Sequence, residues 1–253
     1  MKILFCNDDG AHAEGIRILA AAFDGEYDRY LAAPDSERSA ASRSMTLSSP
    51  LRARKVDIPG IPEMPAYAIN GTPVDCVRLA IGNLVPEPDV VVSGINHGAN
   101  LGTDVLYSGT VAAAHEAALL GYQAIAVSSC ARAPEHFASA ARAARWAVDY
   151  VAKNPLPFGT VLNVNVPDLP LEQIRGIRAV PTCMISYALA FIPGKDPSGA
   201  PYYWPPSEIR AVTPRENADE CVVREGYIAV TPLTYDLTDH RTLKNMNFDT
   251  IQF

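Results

Sequence analysis

The chain reads as an α/β protein built on a doubly wound, mainly parallel sheet, with a smaller β-rich appendage towards its C-terminus. Three observations predict this. Short apolar runs alternate with helical periodicity up to about residue 175. The run Asp89–Ser93 contains three consecutive valines, the texture of a central parallel strand covered on both faces. Beyond about residue 175 the helical period gives way to proline, tyrosine and β-branched residues.

Taken in order, Lys2–Cys6 is a strand. Glu14–Phe23 is a helix with Ile16, Leu19, Ala20 and Phe23 on one stripe. Tyr30–Ala33 is a second strand, stopped by Pro34, and Tyr67–Ile69 a short third one. Gly71-Thr72-Pro73 then opens a helix, with Thr72 as N-cap, Pro73 as first helical residue and Asp75 as the capping-box acid. After the valine strand, a helix is expected from about Thr110 to Leu120, ending at Gly121. Ala124–Ser128 is a strand, Glu135–Ala152 a long amphipathic helix, and Leu162–Val166 a strand before Pro167. The Gly- and Pro-rich stretch Ile192–Pro206 is unsuited to a compact core and reads as a projecting hairpin or arm. We expect one domain over 1–253, with its core at about 1–175 and a hairpin and oligomerisation tail at about 176–253.

With 253 residues, 48% of them hydrophobic, the chain can bury a full core. A net charge of −7 argues against a nucleic-acid partner, because polyanions require a basic surface. No stretch approaches the roughly 20 apolar residues of a membrane span, and the N-terminus enters a strand rather than a signal peptide. The five cysteines are scattered, with no CxxC pair. They read as buried reduced thiols, so the expected location is cytoplasmic.

Chemistry concentrates in four polar, glycine-bearing segments that follow predicted strands: Asn7-Asp8-Asp9-Gly10, Pro34–Thr46, Ser93–Asn100, and Tyr107-Ser108-Gly109-Thr110. In a parallel sheet, such loops converge on one edge. Adjacent carboxylates at a strand end repel and are poorly solvated, which calls for a cation between them. Asp8, Asp9, a serine of the 36–44 loop and an asparagine of the 96–100 loop would give a hard divalent cation its oxygen ligands. The turn Ser108-Gly109-Thr110 opens a helix whose free N–H groups suit an anion. A cation beside an anion site suggests phosphoryl chemistry. GxxxxGK[ST], GxGxxG and GxSxG motifs are absent. His12 and His97 fall within these loops as candidates for proton transfer, and Tyr202-Tyr203-Trp204 as candidates for stacking on a base.

The segments MKILFCNDDG…GIRIL, APDSERSAASRSMTLSSPLR, NGTPVDCVRLAI, VVSGINHGANLGTDVLYSGTVAAAHEA, LNVNVP and GYIAVTPLTYDLTD resemble, in this order, the signature segments of the SurE (survival protein E) family. The resemblance spans Met1 to about Asp239. It implies a Rossmann-like three-layer parallel sheet with a C-terminal β-hairpin, and a tail exchanged within a homodimer or dimer of dimers. It implies a phosphatase for nucleoside 5′- and 3′-monophosphates that uses one Mg²⁺ or Mn²⁺ per subunit. By position, the metal ligands are Asp8, Asp9, Ser39 and Asn96, with Asp8 and Asp9 catalytic and Asp8 the base for the attacking water. Substrate binding falls on Ser108, Gly109 and Thr110, with Asn100. The chain departs from the family where Ala40-Ala41 follows Ser39, and at Ala112, His115 and Ala117. The family carries glycine after the serine and reads GAAMEG from position 112, so the extra Cβ atoms are expected to crowd the substrate phosphate.

A haloacid-dehalogenase-type phosphatase needs a nucleophilic Asp and a second Asp two residues later. Asn7/Asp9 and Asp8/Gly10 both fail that spacing. The remaining alternative is a non-catalytic nucleotide- or metal-binding module.

Overall fold

The computed structural model describes residues 1–187, 189–205, 209–213 and 216–246. Its centre is a nine-stranded sheet. In chain order the first elements are β1 (Lys2–Cys6), α1 (Glu14–Ala21), β2 (Asp28–Pro34), β3 (Ala53–Lys55), β4 (Ala66–Ile69), α2 (Pro73–Leu79) and β5 (Val90–His97). Then come α3 (Gly109–Leu119), β6 (Gln123–Ser129), α4 (Phe137–Lys153), β7 (Thr160–Val166), β8 (Ile177–Ala179), β9 (Met184–Tyr187), β10 (Ile192–Lys195) and β11 (Pro201–Trp204). The last are β12 (Ile209–Thr213), α5 (Asp219–Arg224), β13 (Ile228–Thr234) and α6 (His240–Leu243).

The sheet order is β3-β4-β2-β1-β5-β6-β7-β13-β8. Strands β4, β2, β1, β5, β6 and β7 run parallel, whereas β3 and β13 pair antiparallel to their neighbours β4 and β7. The order reverses at β1, which has β2 on one side and β5 on the other. Ligands bind α/β sheets at such a switch point.

Alternation along the strands builds three layers. Ile3 and Phe5 face one side of the sheet, in a cluster with Phe23 of the α1 turn and Ala144 and Val148 of α4. Leu4 and Cys6 face the other, with Val77 of α2 and Ala113, Ala114 and Ala117 of α3. Alanines let α3 approach the sheet closely. The capping box is present: the Thr72 hydroxyl accepts from the Asp75 N–H and the Asp75 carboxylate from the Thr72 N–H, with Pro73 in the first turn.

Two features differ from the sequence reading. The strand expected to stop at Ser93 continues to His97 through an irregularity between Ser93 and Asn96. Gly94 sits there at φ +142°, and a Cβ on it would lie 2.3 Å from the Val127 carbonyl oxygen, so only glycine allows this approach. The residues past 175 are also not confined to an appendage. β8 and β13 complete the main sheet, and α5 is helical where helical periodicity was not read. The expected arm is the antiparallel hairpin β10–β11, and β9 pairs with β12 in a second small sheet. Pro206, the last residue of the expected arm, and residues 247–253 of the expected tail lie outside the described residues. Among the described residues no helix is long and apolar enough to cross a membrane.

Candidate active site

The turn after β1 is fastened by Asn7. Its buried amide donates to the Gly10 carbonyl (3.0 Å) and accepts from the Gly10 N–H (3.1 Å). This clamp presents Asp8 and Asp9 at the sheet edge. The Asp8 carbonyl in turn accepts from the Arg38 N–H (2.7 Å), which ties the 35–44 loop to the turn.

Asp8 is almost fully buried against the start of α3. The Thr110 hydroxyl donates to Asp8 Oδ1 and lies 3.2 Å from Asn96 Oδ1. Gly109 is obligatory, since a Cβ there would lie 2.8 Å from Asp8 Cβ and Oδ2. Burial pushes the Asp8 pKa up, opposed by the Thr110 hydroxyl and by the N–H groups of Thr110 and Gly109. Burial likewise drives Asp9 up to about 6, reinforced by the charge of Asp8 and opposed by His97. The Ser108 hydroxyl caps α3 by accepting from the Val111 N–H (3.1 Å). The helix end expected to receive a substrate anion therefore turns its first N–H groups towards Asp8 in this structure.

These residues open on a cleft of about 580 Å³ lined by Asp8, Asp9, Ser39, Asn96, Asn100 and Ser108. Of the eight residues singled out from the sequence, six line the cleft, while Gly109 and Thr110 stand behind Asp8 and position it. Ser39 reaches the cleft, but its hydroxyl donates to Glu37. Asn100 is locked into a buried amide network. Its side chain donates to Ser128 Oγ (2.8 Å), and its carbonyl accepts from Asn163 (2.9 Å) and Asn165 (3.0 Å). His97 also lines the cleft and packs on Phe137; His12 does not line it.

Among the other polar cleft residues, Glu37 and Tyr107 belong to the polar segments already singled out, whereas Asp104, Arg132 and Tyr187 were not read from the sequence. Arg132 forms no ion pair among the described residues. Tyr187, on β9, donates to Asp104 (2.7 Å). Asp104, Arg132 and Tyr187 come from loops and from a small sheet far along the chain, with no local motif to mark them. Tyr202, Tyr203 and Trp204, the aromatic cluster considered for base stacking, project from the hairpin and do not line the cleft.

Of the residues expected to bring extra Cβ atoms to the phosphate, Ala40 lines the cleft, whereas His115 and Ala117 do not. Ala40 and Ser42 adopt left-handed backbone at φ 56° and 52°, which glycine enters freely and other residues enter at a cost. The segment is held there by Ser42, whose N–H donates to the Tyr107 carbonyl (3.0 Å) and whose hydroxyl donates to the Leu106 carbonyl (2.7 Å). Ala117 is packed in the core, and His115 lines a different cavity. Neither crowds the cleft.

Among the described residues no three His, Cys, Asp or Glu side chains group to hold a metal. The expected ligand set, Asp8, Asp9, Ser39 and Asn96, offers two carboxylates and two neutral oxygens, suited to a hard cation rather than to zinc. Asp9 Oδ2 is buried with no hydrogen-bond partner, beside a second buried carboxylate. An orphaned anionic oxygen of this kind fits a cation.

A mostly parallel α/β sheet with a carboxylate-lined cleft at its switch point defines the class as Rossmann-like. Comparison with known proteins narrows it. The family model described as survival protein SurE matches residues 3–188. "5′-nucleotidase SurE" of Aeromonas hydrophila is 47% identical over 249 residues, covering 97% of each chain. The protein of that name from Natranaerobius thermophilus is 42% identical over 258 residues, covering 98% of this chain and all of its own. The crystal structure of SurE protein from Aquifex aeolicus superposes with a TM-score of 0.82 at 36% identity, covering 97% of this chain and 98% of its own. The chain belongs to the SurE family.

Proposed function

We propose that the protein is a metal-dependent phosphatase that hydrolyses nucleoside 5′- and 3′-monophosphates. The observation that carries the reading is the pair Asp8/Asp9 at the switch point, Asp8 buried and Asp9 half-buried with its Oδ2 atom enclosed and unpaired. Relatives named 5′-nucleotidase over nearly their full length support the substrate class.

Asp8, Asp9, Asn96 and Ser39 would hold one divalent cation, Mg²⁺ or Mn²⁺, Ser39 after its hydroxyl leaves Glu37. When bound, such a cation supplies positive charge that polarises a phosphoryl oxygen and makes water more acidic. Asp8 is the proton acceptor for the attacking water, and Thr110 and the start of α3 stop its carboxylate from rotating away. Arg132 binds the substrate phosphate, with the Ser108 hydroxyl and Asn100 completing its surroundings. Tyr107 and Tyr187 form an aromatic rim for the nucleoside. Arg132→Ala should raise KM more than it lowers kcat, because it removes binding shared by ground and transition states.

Phosphate release from a panel of nucleoside monophosphates, with excess EDTA and then with Mg²⁺ or Mn²⁺ restored, is the direct test. Activity should vanish and return; full activity in EDTA would refute the reading, and a trapped aspartyl-phosphate would remove Asp8 from its role as base. We further infer a cytoplasmic protein, supported by five free cysteines, and a homodimer or dimer of dimers, supported by the exposed aromatic residues of the hairpin.

A further inference from the structure

Outside the cleft, two buried polar atoms without hydrogen-bond partners, His115 Nε2 and Thr231 Oγ1, belong to residues lining one cavity. It occupies about 360 Å³ between α3, β13 and the segment around Leu106, and Arg43, Leu233 and Asp236 also line it. His115 is 2% exposed and Thr231 4%, so bulk solvent does not satisfy them.

The chemistry of the wall is that of a donor set. Arg43 Nη2 lies 3.2 Å from His115 Nδ1. A guanidinium only donates, so Nδ1 accepts and the proton of the neutral ring sits on Nε2. Burial, and then the charge of Arg43, hold the imidazole at about 4, which keeps the ring neutral at pH 7. Nε2–H is then a buried donor that meets no acceptor in good hydrogen-bond geometry, although the Thr234 backbone lies near enough to offset part of the pKa drop. The Thr231 hydroxyl is a second donor, and the remaining N–H groups of Arg43 add others with a full positive charge. Among the described lining residues the acid is Asp236, whose carboxylate already accepts from the Thr238 N–H (2.9 Å) and lies 2.7 Å from the His240 ring. Donors around a guanidinium recognise an oxyanion.

We propose that this cavity is a second ligand site, for a small oxyanion, and that Arg43 relays its occupancy to the loop that carries Ser39. Arg43 follows Ser42, which is bonded to the carbonyls of Leu106 and Tyr107. Leu106 lines the cavity, whereas Tyr107 and Ser39 line the cleft. One short segment thus forms part of both walls.

Inorganic phosphate and a nucleoside monophosphate share this chemistry, and both serve as probes. In excess EDTA the cleft keeps the carboxylates of Asp8, Asp9, Glu37 and Asp104 without a cation, and repels anions. Under that condition the protein is titrated with each probe while the His115 ring and the Ser39 amide are followed by NMR. The expected result is a saturable shift at both with one midpoint. Arg43→Gln, at an exposed position, should weaken that midpoint by about tenfold or more, the scale of one charge-assisted contact, and the isosteric Thr231→Val should weaken it less. Response to phosphate alone identifies a free oxyanion as the ligand; response to both probes identifies a phosphate ester as well. No shift with either probe, or an unchanged midpoint in Arg43→Gln, overturns the site, and a shift at His115 without one at Ser39 overturns the relay.

Discussion

Asp9 illustrates how the site concentrates cost at single residues. Its folded pKa of about 6 lies above the ordinary carboxylate value. In cation-free protein the protonated form therefore stabilises the fold below the ordinary value, and that contribution is lost as pH rises through about 6. Asp9→Asn removes the titrating group. In EDTA at pH 7 the variant should melt higher than the parent, with a flatter stability profile between pH 4 and 6, yet release no phosphate. Thermal melts across that window, paired with turnover assays, check both halves. Gly109→Ala places a Cβ 2.8 Å from the Asp8 carboxylate. It should cost about 1–3 kcal/mol by overpacking and lower kcat by displacing Asp8, read by urea unfolding and single-turnover kinetics. Ala40→Gly acts in the opposite sense. It relieves a left-handed alanine at φ 56° and should leave the protein equally stable or up to about 1 kcal/mol more stable, once added unfolded-state entropy is offset.

At the scale of elements, α2 and α3 are where local rules and tertiary demands meet. Burial alone would raise Asp75, but hydrogen bonds from Thr46 and Thr72 outweigh it and hold its carboxyl below the ordinary range. The same carboxylate accepts from the N–H (3.0 Å) and hydroxyl (2.6 Å) of Thr46, so the cap of α2 also fastens the end of the Ser39 loop. The capping pattern was legible as a local motif; the tie to Thr46 spans 29 residues and was not. On α3, His115 is held at about 4, below the ordinary histidine value, by burial and then by Arg43. A depressed histidine contributes stability above its unfolded pKa and loses it as pH falls through the folded one. Relative to His115→Met, the parent should lose up to about 3 kcal/mol between pH 6.5 and 4. Urea midpoints of the two proteins across that range measure the difference.

For the whole molecule, sheet order is the decisive fact. The reversal at β1 brings the loops after β1, β2 and β5 and the start of α3 to one edge. The buried Asp219 carboxylate, accepting from the N–H groups of Gly102 (2.7 Å) and Cys183 (2.9 Å), then holds the β9 segment with Tyr187 over that edge. On the outside, Leu189, Phe191, Ile192, Tyr203 and Trp204 are each more than half exposed, and clustered apolar exposure of this kind marks an interface. Sedimentation at micromolar concentration should show at least a dimer of the 27.2 kDa chain. Deleting the β10–β11 hairpin should shift it towards monomer and reduce turnover. A fully active monomer of the intact chain would show that the hairpin needs no partner.

Apolar periodicity, the capping box at Thr72–Asp75 and the polar segments after strands are local properties, because each depends on residues within one turn or one strand. They determined the α/β class, most element boundaries, the candidates Asp8 and Asp9, and the loops 36–44 and 96–100, within which the resemblance to the SurE family singled out Ser39 and Asn96. Tertiary structure alone decided that the start of α3 faces Asp8. It also decided that Arg132 and Tyr187 share the cleft, that His115 and Thr231 meet in a second cavity, and that β13 rejoins the main sheet. These are juxtapositions between residues far apart in the chain. They are settled by which faces bury against which and by where the sheet reverses, and no window of neighbouring residues carries that information.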